Sequence, residues 1–205
     1  KIILLSFGVL FSISPAFSQL NKKAMADNLR SDTIDIIKYT ISLNITDFTT
    51  DTIRGNTIVR FAPKMNNVTS LSLDLLHFTI DSISINGVNP AYTYNDTLLI
   101  IKLPAAENIG DTSDVTVYYH GKPVLDATWG GFYFNPPYAY NLGVAFTSLP
   151  HNYGRVWFPC FDNFVERSLY RFNITTSPAN TSYCNGYLAK DTTDNRYVII
   201  ENQLQ

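Results

Sequence analysis

A chain of 205 residues with 15 basic and 17 acidic side chains carries a net charge of −2, and no basic run or stripe gives it the electrostatic footprint of a nucleic-acid binder. Charged residues make up 16% and aromatics 14%, which excludes a disordered chain and suits an aromatic-rich β protein with a substantial core. The length allows one large or two small domains.

Residues 1–18 read as a secretory signal peptide: Lys1 as a charged start, an apolar run from Ile2 to Ile13, then Pro15 and the small-x-small site Ala16-Phe17-Ser18. The run is shorter than the ~20 apolar residues of a membrane span. Residues 19–31 are polar and read as a flexible leader, and the folded domain is expected over 32–205. The reading implies export, to a periplasm, a cell surface or the exterior. Both ends read as cut, as in a fragment of a larger multidomain protein.

From Thr33 the pattern turns to period two. Ile37, Tyr39, Ile41, Leu43 and Ile45 alternate with polar residues, as in a strand with one buried face. Ile53, Thr57, Val59 and Phe61 form a second run, with Gly55 as a bulge or close approach and Pro63 as its end. Leu71, Leu73 and Leu75 make a third, and Ile83 with Ile85 a fourth, closed by the Asn86-Gly87 turn signal. The largely apolar run Leu98 to Leu103 is expected to be covered on both faces and stopped by Pro104. Val115, Val117 and Tyr119 follow, ended by Gly121. Short strands separated by turn residues predict an all-β, sandwich-like set of packed sheets.

Trp129 to Tyr140 holds six aromatics, two glycines and a Pro-Pro pair. It reads equally well as a ligand- or domain-facing surface and as a long loop packed on its own sheet. Gly154 to Asp162 compresses three aromatics, a proline, a cysteine and two opposite charges into nine residues. It reads as a rigid, buried crossing in which Arg155 and Asp162 find partners, because charges are rarely buried unpaired. Tyr170, Phe172 and Ile174 alternate beyond it, and Tyr197 to Ile200 begins a further strand. Cys160 and Cys184 are either one bridge or two inert thiols.

Arg155 followed by Phe158-Pro159-Cys160-Phe161-Asp162 resembles the A-R-x-x-F-P-C-F-D-E-P signature of the aminopeptidase N family of zinc metallopeptidases, whose N-terminal β domain carries it. Arg167, Ser168 and Tyr170 match the positions that follow, whereas Asn163-Phe164 stands where the family has Glu-Pro. Tyr39-Thr40-Ile41-Ser42-Leu43, Gly55 with Val59 and Phe61, Leu73-Asp74-Leu75, Ile83 to Gly87, and Val115 to Gly121 resemble the family's strands in order. Gly130-Gly131-Phe132-Tyr133 resembles its G-G-F-Y, and Cys184-Asn185-Gly186 its S-N-G. The resemblance spans residues 32–201. It marks Gly130, Gly131, Phe132, Arg155, Phe158, Pro159, Cys160 and Asp162 as a structural motif, with a saddle of packed sheets as the fold.

A zinc hydrolase of this kind needs H-E-x-x-H on a helix, two histidines one turn apart. His77, His120 and His151 are far apart, and a set gathered from His151, Cys160, Asp162 and Cys184 has no ligand spacing. No nucleophile elbow or phosphate loop is present. No catalytic residue is therefore expected in these residues, and no zinc bound by them. The resemblance implies zinc in the parent protein, in a downstream thermolysin-like catalytic domain that is this domain's partner, with peptides as substrates. A secreted binding module and an inactive family member are the alternatives. The family holds the substrate amine with a Gln or Glu five residues before the signature arginine; that position is Pro150, with His151 and Asn152 as the polar neighbours. As half of an assembly, the domain is expected to expose an apolar docking face.

Overall fold

The computed structural model describes residues 30–163, 165–190 and, for the backbone, 198–202. The signal-peptide reading of residues 1–18 and most of the leader lie outside the described residues. The leader's last two residues are packed: Arg30 reaches Asp74, and Ser31 is buried in a helical turn over 30–33.

Twelve strands follow one another: β1 (Ile34–Asp47), β2 (Thr52–Pro63), β3 (Val68–Asp74), β4 (Thr79–Ile85), β5 (Tyr92–Tyr94), β6 (Leu98–Glu107), β7 (Ser113–Gly121), β8 (Gly130–Asn135), β9 (Tyr138–Ala145), β10 (Leu169–Thr176), β11 (Tyr187–Lys190) and β12 (Val198–Asn202). Among the described residues they form a seven-stranded sheet in the order β11-β12-β10-β1-β2-β7-β4, a three-stranded sheet β3-β6-β5, and the hairpin β8-β9. The large sheet is mixed, with β1 and β10 parallel and its other pairings antiparallel. The all-β, packed-sheet expectation is what the chain adopts.

Among the described residues the main core is a buried cluster shared by the two larger sheets, with a smaller one around Ala145, Tyr153 and Val156. In the main cluster Tyr39, Ile41, Ile53, Val59, Phe61, Val115, Val117 and Tyr119 come from one sheet, and Leu71, Leu73, Leu99 and Ile101 from the other. Phe158, Cys160 and Phe161 of the signature belong to it as well. Period-two alternation places each set on one face, because successive strand side chains point to opposite sides.

Two expectations need correction. Ile37 is not on the buried face; Ile36 is fully buried in its place. The register shifts between Ile36 and Lys38, so Ile37 is the extra residue of a bulge and the alternation restarts at Tyr39. The run Leu98 to Leu103 is covered on one face only, with Leu99, Ile101 and Leu103 buried and Ile100 39% exposed. Pro104 does not stop it. β6 continues to Glu107 through an irregular stretch, where a proline's missing N–H costs no ladder bond.

Gly55 is a close approach, since a Cβ there would press into the Ser42 carbonyl oxygen of the neighbouring strand. Asn86 and Gly87 both have positive φ, and Ile85 and Val88 exchange backbone bonds of 2.9 Å across them, as a tight hairpin turn requires.

Candidate functional site

The signature crosses beneath the core as a short 3-10 turn (Gly154–Val156) and an extended run to Asp162. Among the described residues its strand-like pairing is one antiparallel bridge, Cys160 to Asp74 at the end of β3, so its other backbone groups need partners elsewhere. The Tyr39 hydroxyl accepts from Phe161 N at 2.9 Å, and the Tyr119 hydroxyl donates to the Trp157 carbonyl at 3.0 Å. Asp74 and Cys160 exchange two backbone bonds of 2.7 and 3.1 Å, and Leu76 N donates to the Arg155 carbonyl at 2.8 Å. Phe158 meets Tyr39 edge-to-face, with ring centroids 5.5 Å apart.

The two charges of the signature pair with each other. Arg155 Nη1 donates to Asp162 Oδ2 at 2.6 Å and to the Asn152 carbonyl at 3.1 Å, while its guanidinium lies 5.0 Å from the centre of the Tyr153 ring. Gly154 N donates to Asp162 Oδ1 at 2.9 Å. A second pair is stacked on the first: Arg30 grips Asp74 with two bonds of 3.1 and 2.8 Å, and Asp74 Oδ2 also accepts from Asp162 N at 3.0 Å. Burial pushes the Asp162 carboxyl above its ordinary range, outweighing Arg155 and the Gly154 amide, which pull it down. Burial, aided by the Asp162 and Asp74 charges, raises the Cys160 thiol well above its usual value, which disfavours the thiolate. Cys160 and Cys184 are both free, and burial pushes the Cys184 thiol to about 11.

The glycine motif joins this crossing. Gly130 and Gly131 open β8 with φ of +131° and +100°, and a Cβ on either would run into the Val144 or Val124 carbonyl. Phe132 is buried, with its ring centroid 6.3 Å from that of Trp157. The structure thus brings Gly130, Gly131, Phe132, Arg155, Phe158, Pro159, Cys160 and Asp162 into one packed region. Of the two readings of Trp129 to Tyr140, it contains both: Phe132 and Phe134 pack on the core, while Trp129, Tyr138 and Tyr140 stay exposed.

The sequence reading missed Asp126. The residue is 7% exposed, and its carboxylate accepts from Thr128 N and Trp129 N on one side of the hairpin, and from the Thr147 and Ser148 backbone and hydroxyl groups on the other. Burial alone would raise its pKa; the bonds from Thr147, Trp129 and Ser148 more than reverse that and hold it far below the carboxylate range. The pinned loops present Trp129 and Phe146 edge-to-face at 5.7 Å, 46% and 65% exposed, with Leu149 exposed in the same loop.

The same loop carries Pro150, where the family's amine-binding side chain would stand. Pro150 follows a cis peptide bond, and exposed His151 places Nδ1 3.0 Å from the Ala145 carbonyl. Asn152 is buried, and neither its Nδ2 nor its Oδ1 has a partner among the described residues.

Among the described residues no group of three or more His, Cys, Asp or Glu side chains is placed to hold a metal ion. His120 is taken by Asp81 at 2.7 Å, and Cys160 and Asp162 lie within the Arg155 cluster. These residues do not fit a zinc site.

The sequence profile of the Peptidase M1 N-terminal domain matches residues 36–201. No curated protein is matched by the sequence. Among solved structures, an M1 zinc metallopeptidase from Deinococcus radiodurans, in a variant bound to the substrate Tyr-Ser-Ala, superposes with a TM-score of 0.74 at 17% identity. That match covers 84% of this chain and 40% of the other. The leukotriene A4 hydrolase of Saccharomyces cerevisiae superposes with a TM-score of 0.62 at 14% identity, over 83% of this chain and 27% of that one. The chain therefore spans well under half the length of either. At such identity these likenesses establish the fold, while the profile match over most of the chain establishes the family. The chain belongs to the M1 peptidase family, and residues 36–201 are its N-terminal domain.

Proposed function

We propose that this chain is the N-terminal, non-catalytic domain of an exported zinc aminopeptidase that removes N-terminal residues from peptides. The observation that carries the proposal is the family match over 36–201, joined to a charge-paired signature and to exposed aromatics on the loops that Asp126 pins. In this reading the zinc and its ligands lie in a downstream thermolysin-like domain of the same chain. Trp129, Phe146 and Leu149 face that domain. Export rests on the reading of residues 1–18.

Pro150 at the amine-binding position favours a second reading, an M1 relative with altered substrate recognition or with its catalysis lost. The experiment that tests both is to read the gene beyond Gln205. An open frame with H-E-x-x-H and a later Glu ligand supports the enzyme. A frame lacking them supports the inactive relative, and a frame that closes soon after Gln205 refutes both in favour of a secreted binding module. Fractionation of the native host tests export, and retention in the cytoplasm with residues 1–18 uncleaved refutes it.

A further inference from the structure

We infer that the outer face of the seven-stranded sheet binds an acidic oligosaccharide, a chain of sugars bearing carboxylates, in a polar groove across β10, β1 and β2. The site goes beyond the peptidase reading. It uses no residue of the signature or of the loops beside it.

Leu43, Thr57 and Ile174 are buried on the inner face of the three strands. Successive strand side chains point to opposite sides, so their neighbours point outward. Ser42 and Asn44 on β1, Arg54 and Asn56 on β2, and Asn173 and Thr175 on β10 line one groove of about 400 Å³. The strand register aligns them in rows. Asn173, Ser42, Asn56, Tyr118 and Ser82 follow one another from strand to strand, and Thr175, Asn44, Arg54 and His120 form the next row. With strands about 4.8 Å apart, the first row runs for roughly 19 Å as a line of amides and hydroxyls with one aromatic ring.

The chemistry of the groove selects its ligand. Among the described residues its lining offers three amides, two hydroxyls and one guanidinium, and no carboxylate. An amide both donates and accepts, which matches the hydroxyls of a sugar. Few of these groups are used internally. Asn173 Nδ2 donates to Ser42 Oγ at 3.0 Å, and Asn44 Oδ1 accepts from Thr46 Oγ1 at 2.7 Å. The side chains of Asn56 and Thr175 make no hydrogen bond among the described residues. The Arg54 side chain is 67% exposed and its ion pair with Asp81 is stretched to 4.0 Å, while Asp81 is itself held by His120 at 2.7 Å. A guanidinium with open donors grips a carboxylate through two parallel bonds. Tyr118, 43% exposed beside Asn56, offers an aromatic surface to the apolar side of a sugar ring.

Other partners fit the groove less well. A protein interface has an apolar centre, whereas the one large apolar residue in this lining, Leu43, is only 2% exposed. A nucleic acid needs several cations in line along its phosphates, and Arg54 is the single cation of the lining. A hydroxyl-rich chain with spaced carboxylates satisfies the amides, the hydroxyls and Arg54 together.

The test is isothermal titration calorimetry of the full-length protein at low ionic strength. The probes are tetramers of galacturonic, mannuronic and guluronic acid, with cellotetraose as the neutral comparison and tetraglutamate as an acidic peptide. The expected result is that at least one acidic tetramer binds and that cellotetraose and tetraglutamate bind more weakly. Arg54→Gln should weaken that binding by about tenfold or more, the worth of one charge-assisted bond. Asn56→Asp, which puts a carboxylate into the groove, should abolish it. Lys102→Gln, at an exposed position on the three-stranded sheet, should leave it unchanged. Arg54→Gln alters an exposed side chain and Asn56→Asp is nearly isosteric, so both variants should melt with the parent protein. Binding by none of the acidic tetramers, equal binding of cellotetraose or of tetraglutamate, or unchanged binding in both groove variants overturns the inference. Those outcomes leave the functional proposal standing, because that proposal is read from the gene.

Discussion

Replacing Arg155 with methionine tests whether the signature is held by its internal charge pair. Methionine keeps most of the arginine's apolar stem and removes the guanidinium. Asp162, whose side chain is 6% exposed, then keeps the Gly154 amide but loses its only opposite charge within the signature, and the Asn152 carbonyl loses its donor. Breaking a buried pair by removing one partner costs about 3–5 kcal/mol, because the other charge remains buried. For a domain of this size each kcal/mol moves the melting temperature by roughly 2–4 °C, so the fall expected is roughly 6–20 °C. The loss should shrink in acid. Burial already raises the Asp162 pKa, and in the variant it rises further, so the carboxyl becomes neutral and the penalty disappears as pH falls through that value. A second variant that also replaces Asp162 with leucine should recover much of the stability, since an apolar pair of similar volume avoids the desolvation cost. The assay is thermal and urea unfolding of the full-length protein, followed at several pH values. A fall of less than about 1 kcal/mol, the worth of an exposed pair, would refute the account of the crossing as charge-locked. So would a loss independent of pH.

Gly130→Ala forces a side chain at φ +131° and into the Val144 carbonyl, so the hairpin should lose at least about 1–3 kcal/mol; urea unfolding of the variant measures it, and an unchanged midpoint refutes the stated constraint. Asp126 has a depressed pKa, so its contribution is complete above the ordinary carboxylate value of 3.8 and is lost as pH falls below it, where the unfolded chain takes up the proton first. Asp126→Asn should therefore lower stability at neutral pH and flatten the acid limb of the stability–pH curve; a parallel curve contradicts this. Titration of the native protein with a thiol reagent should modify Cys184 slowly and leave Cys160 untouched until denaturant is added, and rapid labelling of both would contradict the burial of Cys160.

Much of this arrangement is legible in the sequence because it depends on period two and on charge. The buried faces of β2, β3, β4 and β7 follow from alternation, and the partnership of Arg155 with Asp162 follows from the cost of burying either alone. Ile36 was not legible, because a one-residue bulge leaves no mark in a run of isoleucines. The hairpin β8-β9 escaped the alternation reading because its glycines adopt positive φ and aromatics occupy both of its faces. Asp126 offered only a local turn contact to Thr128 and Trp129; its bonds to Thr147 and Ser148, 21 and 22 residues away, left no mark in the sequence. Arg30 sat in a stretch read as a leader, yet it closes the charge cluster through Asp74. The glycine and signature motifs gave positions without roles. Only the fold shows Phe132 packed near Trp157.

The most direct measurement is made on the full-length protein, purified from its native compartment: its zinc content and its release of the N-terminal residue from a tripeptide. The account predicts one zinc per chain, activity abolished by a chelator and restored by zinc, and no metal retained when residues beyond Gln205 are deleted. A full-length protein that binds no zinc and leaves the tripeptide intact would contradict it, and the M1 N-terminal fold would then serve a binding role alone.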